Sequence, residues 1–219
     1  MSVHDVARQL PAVPVLRDRC RAMALLDAVL GPDWPCHDHD ASWGPDTEMA
    51  LWDNGSGDEY SIAFTPAGAY VRGFAHESPL SPWAGPERRV WPGVLDDVPE
   101  VFRDQVTEPA FHFEGVPSVT VCLWRTHGDD RWRHGEIALP AGGGPGADGA
   151  DDLFALLTAP DPAEAYQKWA ADHWEHPVPL AAVRHVFALA PLTEDVVRAL
   201  NPDLTLADLA PALRRAGLS

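Results

Sequence analysis

Cys36-His37-Asp38-His39-Asp40 is the most ligand-dense run of the chain. If the run is extended, His37 and His39 fall on one face, because successive strand side chains alternate. Two neutral imidazoles at that spacing could chelate a transition metal with a third ligand from elsewhere. Spacing identifies no such ligand, and the competing reading is a solvated polar edge strand. His76-Glu77-Ser78 is the second chemical cluster. Glu77 could orient His76 as a general base, and Ser78 could serve as a nucleophile. In a strand, however, His76 and Ser78 share a side without Glu77, and no Gly-x-Ser-x-Gly elbow surrounds Ser78. The alternative is polar side chains bonding backbone at a strand-to-loop exit. His173-Trp174-Glu175-His176 offers an i,i+3 histidine pair at a helix end, without the His-Glu-x-x-His spacing of a zinc helix.

Asp53-Asn54-Gly55-Ser56-Gly57-Asp58-Glu59 imitates a calcium loop, but Gly55 and Gly57 stand where that loop needs side-chain oxygens. A hairpin turn fits better, since Asn and Gly tolerate positive φ. Trp83, Trp91, Trp124 and Trp132 could line a cleft, or pack helices onto a sheet. The glycines after Ala141 are not followed by Lys-Ser/Thr, so they form no phosphate loop. These motifs leave His76, Glu77 and Ser78 as the catalytic candidates and His37 with His39 as the metal candidates. No cofactor is expected.

The surrounding patterns say what must position these groups. Leu16, Cys20, Met23, Leu26 and Leu30 form a helical apolar stripe that Gly31-Pro32 stops. From Trp34 to Pro140 the pattern turns to strands. Tyr60, Ile62 and Phe64 alternate, Pro66-Ala67-Gly68 turns the chain, and Tyr70 to Phe74 returns. A proline-rich crossing follows, and Pro99-Glu100-Val101-Phe102-Arg103 begins a short helix. Val119 to Trp124 and Trp132 to Leu139 read as a hairpin around Gly128-Asp129-Asp130. Residues 141–150 are a Gly-rich linker. Beyond it Asp161-Pro162, Pro179-Leu180, Thr193 and Thr205 each open a helix. The expected fold is α+β: an antiparallel meander of five or six strands, an N-terminal helix and about four C-terminal helices. The expected organisation is one domain over 1–219. It has a helical segment at 1–33, a β-rich core at 34–140, the linker at 141–150, and helices at 151–219 packing on the sheet.

Composition narrows the function classes. The 219 residues include nine Trp and are 46% hydrophobic, which supports a packed core and argues against disorder. The longest apolar run is far short of the roughly 20 residues that cross a bilayer. The opening MSVHDVARQLPAVPV lacks a basic start with an apolar core, so no secretory leader is expected. The three cysteines are scattered without Cys-x-x-Cys spacing, which fits a reducing cytosol. The net charge of −17 is concentrated in residues 31–160, where 22 acids face seven Arg. Such a field repels nucleic acid and anionic membranes and speeds encounter with a basic protein. None of these patterns specifies an oligomeric state.

The runs NGSGDEY, GFAHESPLSPW, WPGVLDDVP, VCLWR and GEIALP, with PLTEDVVRALNPDLTLADL near the end, resemble a bacterial family of cytosolic proteins of unknown function. The likeness covers most of residues 20–215 and implies no activity. Locally, GSGDEYSIAF followed by GFAHES is similar to SUKH-type immunity proteins, although Ala75 stands where that pattern commonly has an acid. This second likeness implies a protein-binding role. The sequence therefore points first to a non-enzymatic acidic binding protein, immunity- or antitoxin-like toward a basic partner. Its expected face comprises Asp53, Asp58, Glu59, His76, Glu77, Trp83, Asp129 and Asp130. The alternative is a small-molecule or metal-assisted hydrolase using His76 with Glu77, or His37 with His39.

Overall fold

A computed structural model describes residues 1–140, 144 and 146–218. Two helices, α1 (Val3–Gln9) and α2 (Val13–Leu30), precede four strands, β1 (His37–Gly44), β2 (Thr47–Asp53), β3 (Glu59–Thr65) and β4 (Gly68–Phe74). After a short helix α3 (Arg103–Val106) come the two-residue strands β5 (His112–Phe113) and β6 (Val116–Pro117), then β7 (Val121–Thr126). The chain closes with helices α4 (Ala150–Leu153), α5 (Ala155–Thr158), α6 (Pro162–His173), α7 (Leu180–Phe187), α8 (Glu194–Leu200) and α9 (Ala210–Arg215). The fold is α+β, with a five-stranded antiparallel sheet in the order β1-β2-β3-β4-β7. Among the described residues no helix is long and apolar enough to cross a membrane.

Internal contacts gather into two units, each built from two pieces of chain. The first is Met1–Val13 with Trp52–Ala155, and the second is Pro14–Leu51 with Leu156–Ser219. Of the Gly-rich stretch, residues 141–143 and 145 lie outside the described residues; 146–150 belong to the first unit.

In the first unit β3 pairs with β4 from Glu59↔Phe74 to Thr65↔Gly68, and β4 pairs with β7 from Gly68↔Thr126 to Gly73↔Val121. Five consecutive β3 residues and six of β4 are buried, so Ile62, Val71 and Leu123 form the centre of a two-sided core. Gly68 has φ +141, and a Cβ there would collide with the carbonyl of Arg125. Only glycine closes this turn so tightly against β7. Asp148 is fully buried: Val3 N–H donates to its Oδ2 (2.7 Å) and Ala150 N–H to its Oδ1 (3.1 Å). One carboxylate thus caps the starts of both α1 and α4.

In the second unit the α2 stripe is buried as expected, with Leu16, Cys20, Met23, Leu26 and Leu30 all in the core. Each such large apolar side chain contributes about 1.5–3 kcal/mol on burial. Two of the helices beyond residue 160, α6 and α8, start at side-chain caps. Asp161 accepts from Glu164 N–H (3.0 Å) to open α6, and Thr193 accepts from Val196 N–H (3.3 Å) to open α8. Asn201 ends α8, with its Nδ2 donating to Val29 O (2.8 Å).

Three expectations change. The helical segment expected at 1–33 holds two helices rather than one, with α1 at Val3–Gln9 preceding α2. The return arm after Asp130 is reduced to a single bridge, Trp124↔Arg133, because Arg125 and Arg133 bind the loop instead of extending a ladder. The Thr205 cap closes a turn on Asp208 (Thr205 N–H to Oδ2, 2.9 Å), and α9 begins only at Ala210.

Candidate functional site

The two histidines of β1 share a buried face, as strand alternation requires, with 3% and 1% of their surfaces exposed. They are therefore not a solvated edge. Nor do they face one another as a chelate, because each is held by its own carboxylate. His37 Nδ1 lies 3.1 Å from Asp27 Oδ2 on α2, and His39 Nε2 lies 3.0 Å from Glu48 Oε2 on β2. Among the described residues no group of three His, Cys, Asp or Glu side chains is placed to hold a metal ion.

Asp27 is the hub of this cluster. It is fully buried on the apolar stripe of α2, a costly place for a charge without partners. Its Oδ1 accepts from the Tyr166 hydroxyl (2.5 Å), and its Oδ2 accepts from Cys36 N–H (2.9 Å), His37 N–H (2.8 Å) and the His37 ring. Burial and then the Asp27 charge push the Tyr166 phenol well above its ordinary value, so it remains a donor. Burial holds His39 below the ordinary imidazole value. Burial opposes ionisation of Glu48, but His39, Arg21 and Arg17 outweigh it and leave that carboxyl below its usual range. Arg21 Nη2 donates to Glu48 Oε2 at 2.7 Å, and Arg17 Nη1 lies 3.5 Å from Oε1. Ala24 and Ala28 of α2, His37 and His39 of β1, and Ala212 and Arg215 of α9 border a cavity of about 310 Å³. Arg215 crosses its rim in a bidentate pair with Asp38, Nε donating to Oδ1 (2.9 Å) and Nη2 to Oδ2 (2.7 Å).

Beside this hub the sequence reading missed a second pair. Cys36 Sγ lies 3.3 Å from His173 Nε2. The His173 ring stacks on Trp169 (4.8 Å between centroids) and meets Trp174 edge-on (4.4 Å). Trp169 in turn meets His37 edge-on at 5.1 Å. A side chain on Gly31 would collide with the Trp174 ring, so the bare backbone there lets the indole close over the end of α2.

The first unit treats its candidate residues differently. His76 Nδ1 lies 2.8 Å from Asp58 Oδ1, which also accepts the His76 N–H (2.9 Å). Glu77 does not orient the imidazole as expected; it stands 3.8 Å from Nε2 with its side chain 89% exposed. Ser78 is buried, donates from Oγ to Ala147 O (2.7 Å) and accepts Leu80 N–H (3.0 Å). Among the described residues no hydrogen bond joins Ser78 to His76, so this trio lacks a nucleophile–base pair. Asp53 Oδ1 accepts Gly55 N–H (2.6 Å), closing the turn, and Glu59 accepts from Arg72 Nη1 (2.8 Å). Buried Arg72 also donates to Ser61 Oγ and Ser118 O and lies over the Phe111 ring.

Asp129 does not project as expected. It accepts the Thr126 hydroxyl (2.7 Å), the Thr126 N–H and Arg133 Nε, and these hold its carboxyl below the usual range. Asp130 does point outward, at 81% exposure. Trp83 is half-buried between the rings of Phe74 and Phe113, and its indole N–H has no hydrogen-bond partner among the described residues. Trp124 and Trp132 are core residues, and Trp91 donates to Ala138 O (3.0 Å).

The missed residues divide by the signal they leave. Asp27 had one: a carboxylate inside an apolar helical stripe demands a buried partner. The Cys36–His173 pair had none, because 137 residues separate its members. No protein-family model, curated protein or solved structure matches the chain.

Proposed function

We propose that this chain is a bacterial cytosolic binding protein for a basic protein, in the manner of an immunity protein or antitoxin, and that the binding itself makes and breaks no bond. The observation that carries the reading is the distribution of charge. The net charge is −17, and in the first unit exposed carboxylates outnumber exposed Arg. Glu77, Asp97, Asp104, Asp130, Glu136 and Asp152 are all exposed there. Such a surface accelerates encounter with a cationic partner and disfavours polyanions.

The internal roles of the other candidates support the same reading. Asp53, Asp58 and Asp129 close turns, Ser78 caps backbone, and His37 and His39 are fixed on carboxylates. What remains outward is charge, with Glu77 beyond the Phe74 end of β4 and Asp130 in the loop at its Gly68 end. The test is binding of the purified chain to basic proteins encoded beside its gene, followed by biolayer interferometry at low and physiological salt. One such protein is expected to bind with an association rate that falls steeply as salt rises. Charge reversal at Glu77 and Asp130 together should slow association. If every basic neighbour fails to bind even at low salt, the reading is wrong.

A further inference from the structure

We propose that Cys36 is a peroxide-reactive thiol, with His173 as the group that takes and returns its proton. The inference goes beyond partner binding and rests on a different part of the molecule.

Three cysteines are present, and their surroundings separate them. Cys20 and Cys122 are buried. Burial pushes both thiols up, that of Cys122 to about 12, so neither supplies a thiolate at neutral pH. Cys36 alone is partly open to solvent, and among the described residues its Sγ has the His173 imidazole nitrogen at 3.3 Å. A thiol and an imidazole at that distance exchange a proton to give a thiolate–imidazolium pair, the nucleophilic form of cysteine. The imidazole is held in place from two directions, by the stacked Trp169 ring and the edge-on Trp174 ring.

Ionisable groups near the thiol include Asp27 on α2, His37 next to it on β1, and Tyr166 on α6. Asp27 would oppose a second negative charge. Its oxygens, however, already accept the Tyr166 hydroxyl, two backbone N–H groups and the His37 ring. Asp27 also anchors the backbone that carries the thiol, because the Cys36 N–H donates to it at 2.9 Å.

The substrate class follows from charge and access. A chain at −17 repels anionic disulfides, whereas a hydroperoxide is neutral and small. In the step, the Cys36 thiolate attacks the terminal oxygen of the hydroperoxide. An S–O bond forms and the O–O bond breaks. Sulfur loses two electrons to the peroxide, and the departing alkoxide or hydroxide takes the proton from His173. The products are a sulfenic acid at Cys36 and an alcohol or water. With the other two cysteines buried, an external thiol returns it to the reduced state.

Hydrogen peroxide followed by a dimedone probe and peptide mapping tests the proposal on the full chain. The adduct is expected at Cys36 and absent from Cys36→Ser. Iodoacetamide should alkylate Cys36 at least about tenfold faster than Cys20 or Cys122, with a pH–rate midpoint below the ordinary ~8.5 of a free thiol. His173→Gln should raise that midpoint while leaving the circular dichroism spectrum unchanged. A wild-type midpoint at the ordinary value, or no dimedone adduct at Cys36, overturns the proposal whether or not the variant folds.

Discussion

Two histidines in this chain sit on aspartates at nearly the same distance, and they do opposite things. His76 and Asp58 meet at 2.8 Å with side chains 41% and 29% exposed, whereas His37 and Asp27 meet at 3.1 Å with side chains 3% and 0% exposed. In water the first pair gains little, because solvent competes for both partners and screens their charges. In the core the second pair has no alternative partner, so every lone pair of Asp27 must be met by protein. Distance alone therefore does not rank the two; burial does.

The comparison is easiest to break at Asp27. Asp27→Ala removes the acceptor of four donors at once and should cost about 3–5 kcal/mol in urea unfolding. A loss below about 1 kcal/mol would mean that the core relaxes or admits water around these donors. Tyr166→Phe deletes one charge-assisted hydrogen bond with little change in shape, and about 1.5–3 kcal/mol is expected. At the exposed pair, His76→Ala should change stability by about 1 kcal/mol at most, measured in the same way. A larger loss there would show that the 53–59 turn depends on the imidazole.

The acid dependence sharpens the contrast further. His39 is held below the ordinary imidazole value of 6.5, so the unfolded chain binds its proton more readily than the folded one. His39 thus contributes stability at pH above 6.5 and loses it as pH falls from there through its folded value. His4, lowered by burial and by His134, acts in the same window and direction in the first unit. Glu48 is held below 4.5, and its contribution is lost only on further acidification. Melting temperatures are expected to fall in that order between neutral pH and pH 4. His39→Gln should flatten the first decline in part. An unchanged profile would remove His39 as its source.

The parts of this fold that were legible in the sequence are those whose causes are local. Alternation of Tyr60, Ile62 and Phe64, the Asn54-Gly55 turn, and the Asp161 and Thr193 caps each act within a few residues, and all are present as read. The second arm of the loop at 127–134 was misjudged because its Arg side chains bind the loop backbone and carboxylates, which alternation does not encode. The histidines of β1 were placed on the correct face but given the wrong surroundings. Their partners come from α2 and β2, and Tyr166 meets Asp27 across 139 residues. Ser78 bonds backbone, as the structural alternative for it held, but its acceptor, Ala147 O, lies 69 residues on and leaves no local signal.

Gly31 gives the smallest group in the molecule an outsized role. Its missing methyl is the space that the Trp174 indole fills, and that indole is one jaw of the vice on His173. Adding one carbon at position 31 would therefore act as a shim, tilting the imidazole away from the sulfur without touching either. Thiol chemistry in this protein would then be tunable from the end of a helix by the bulk of a residue that carries no reactive atom.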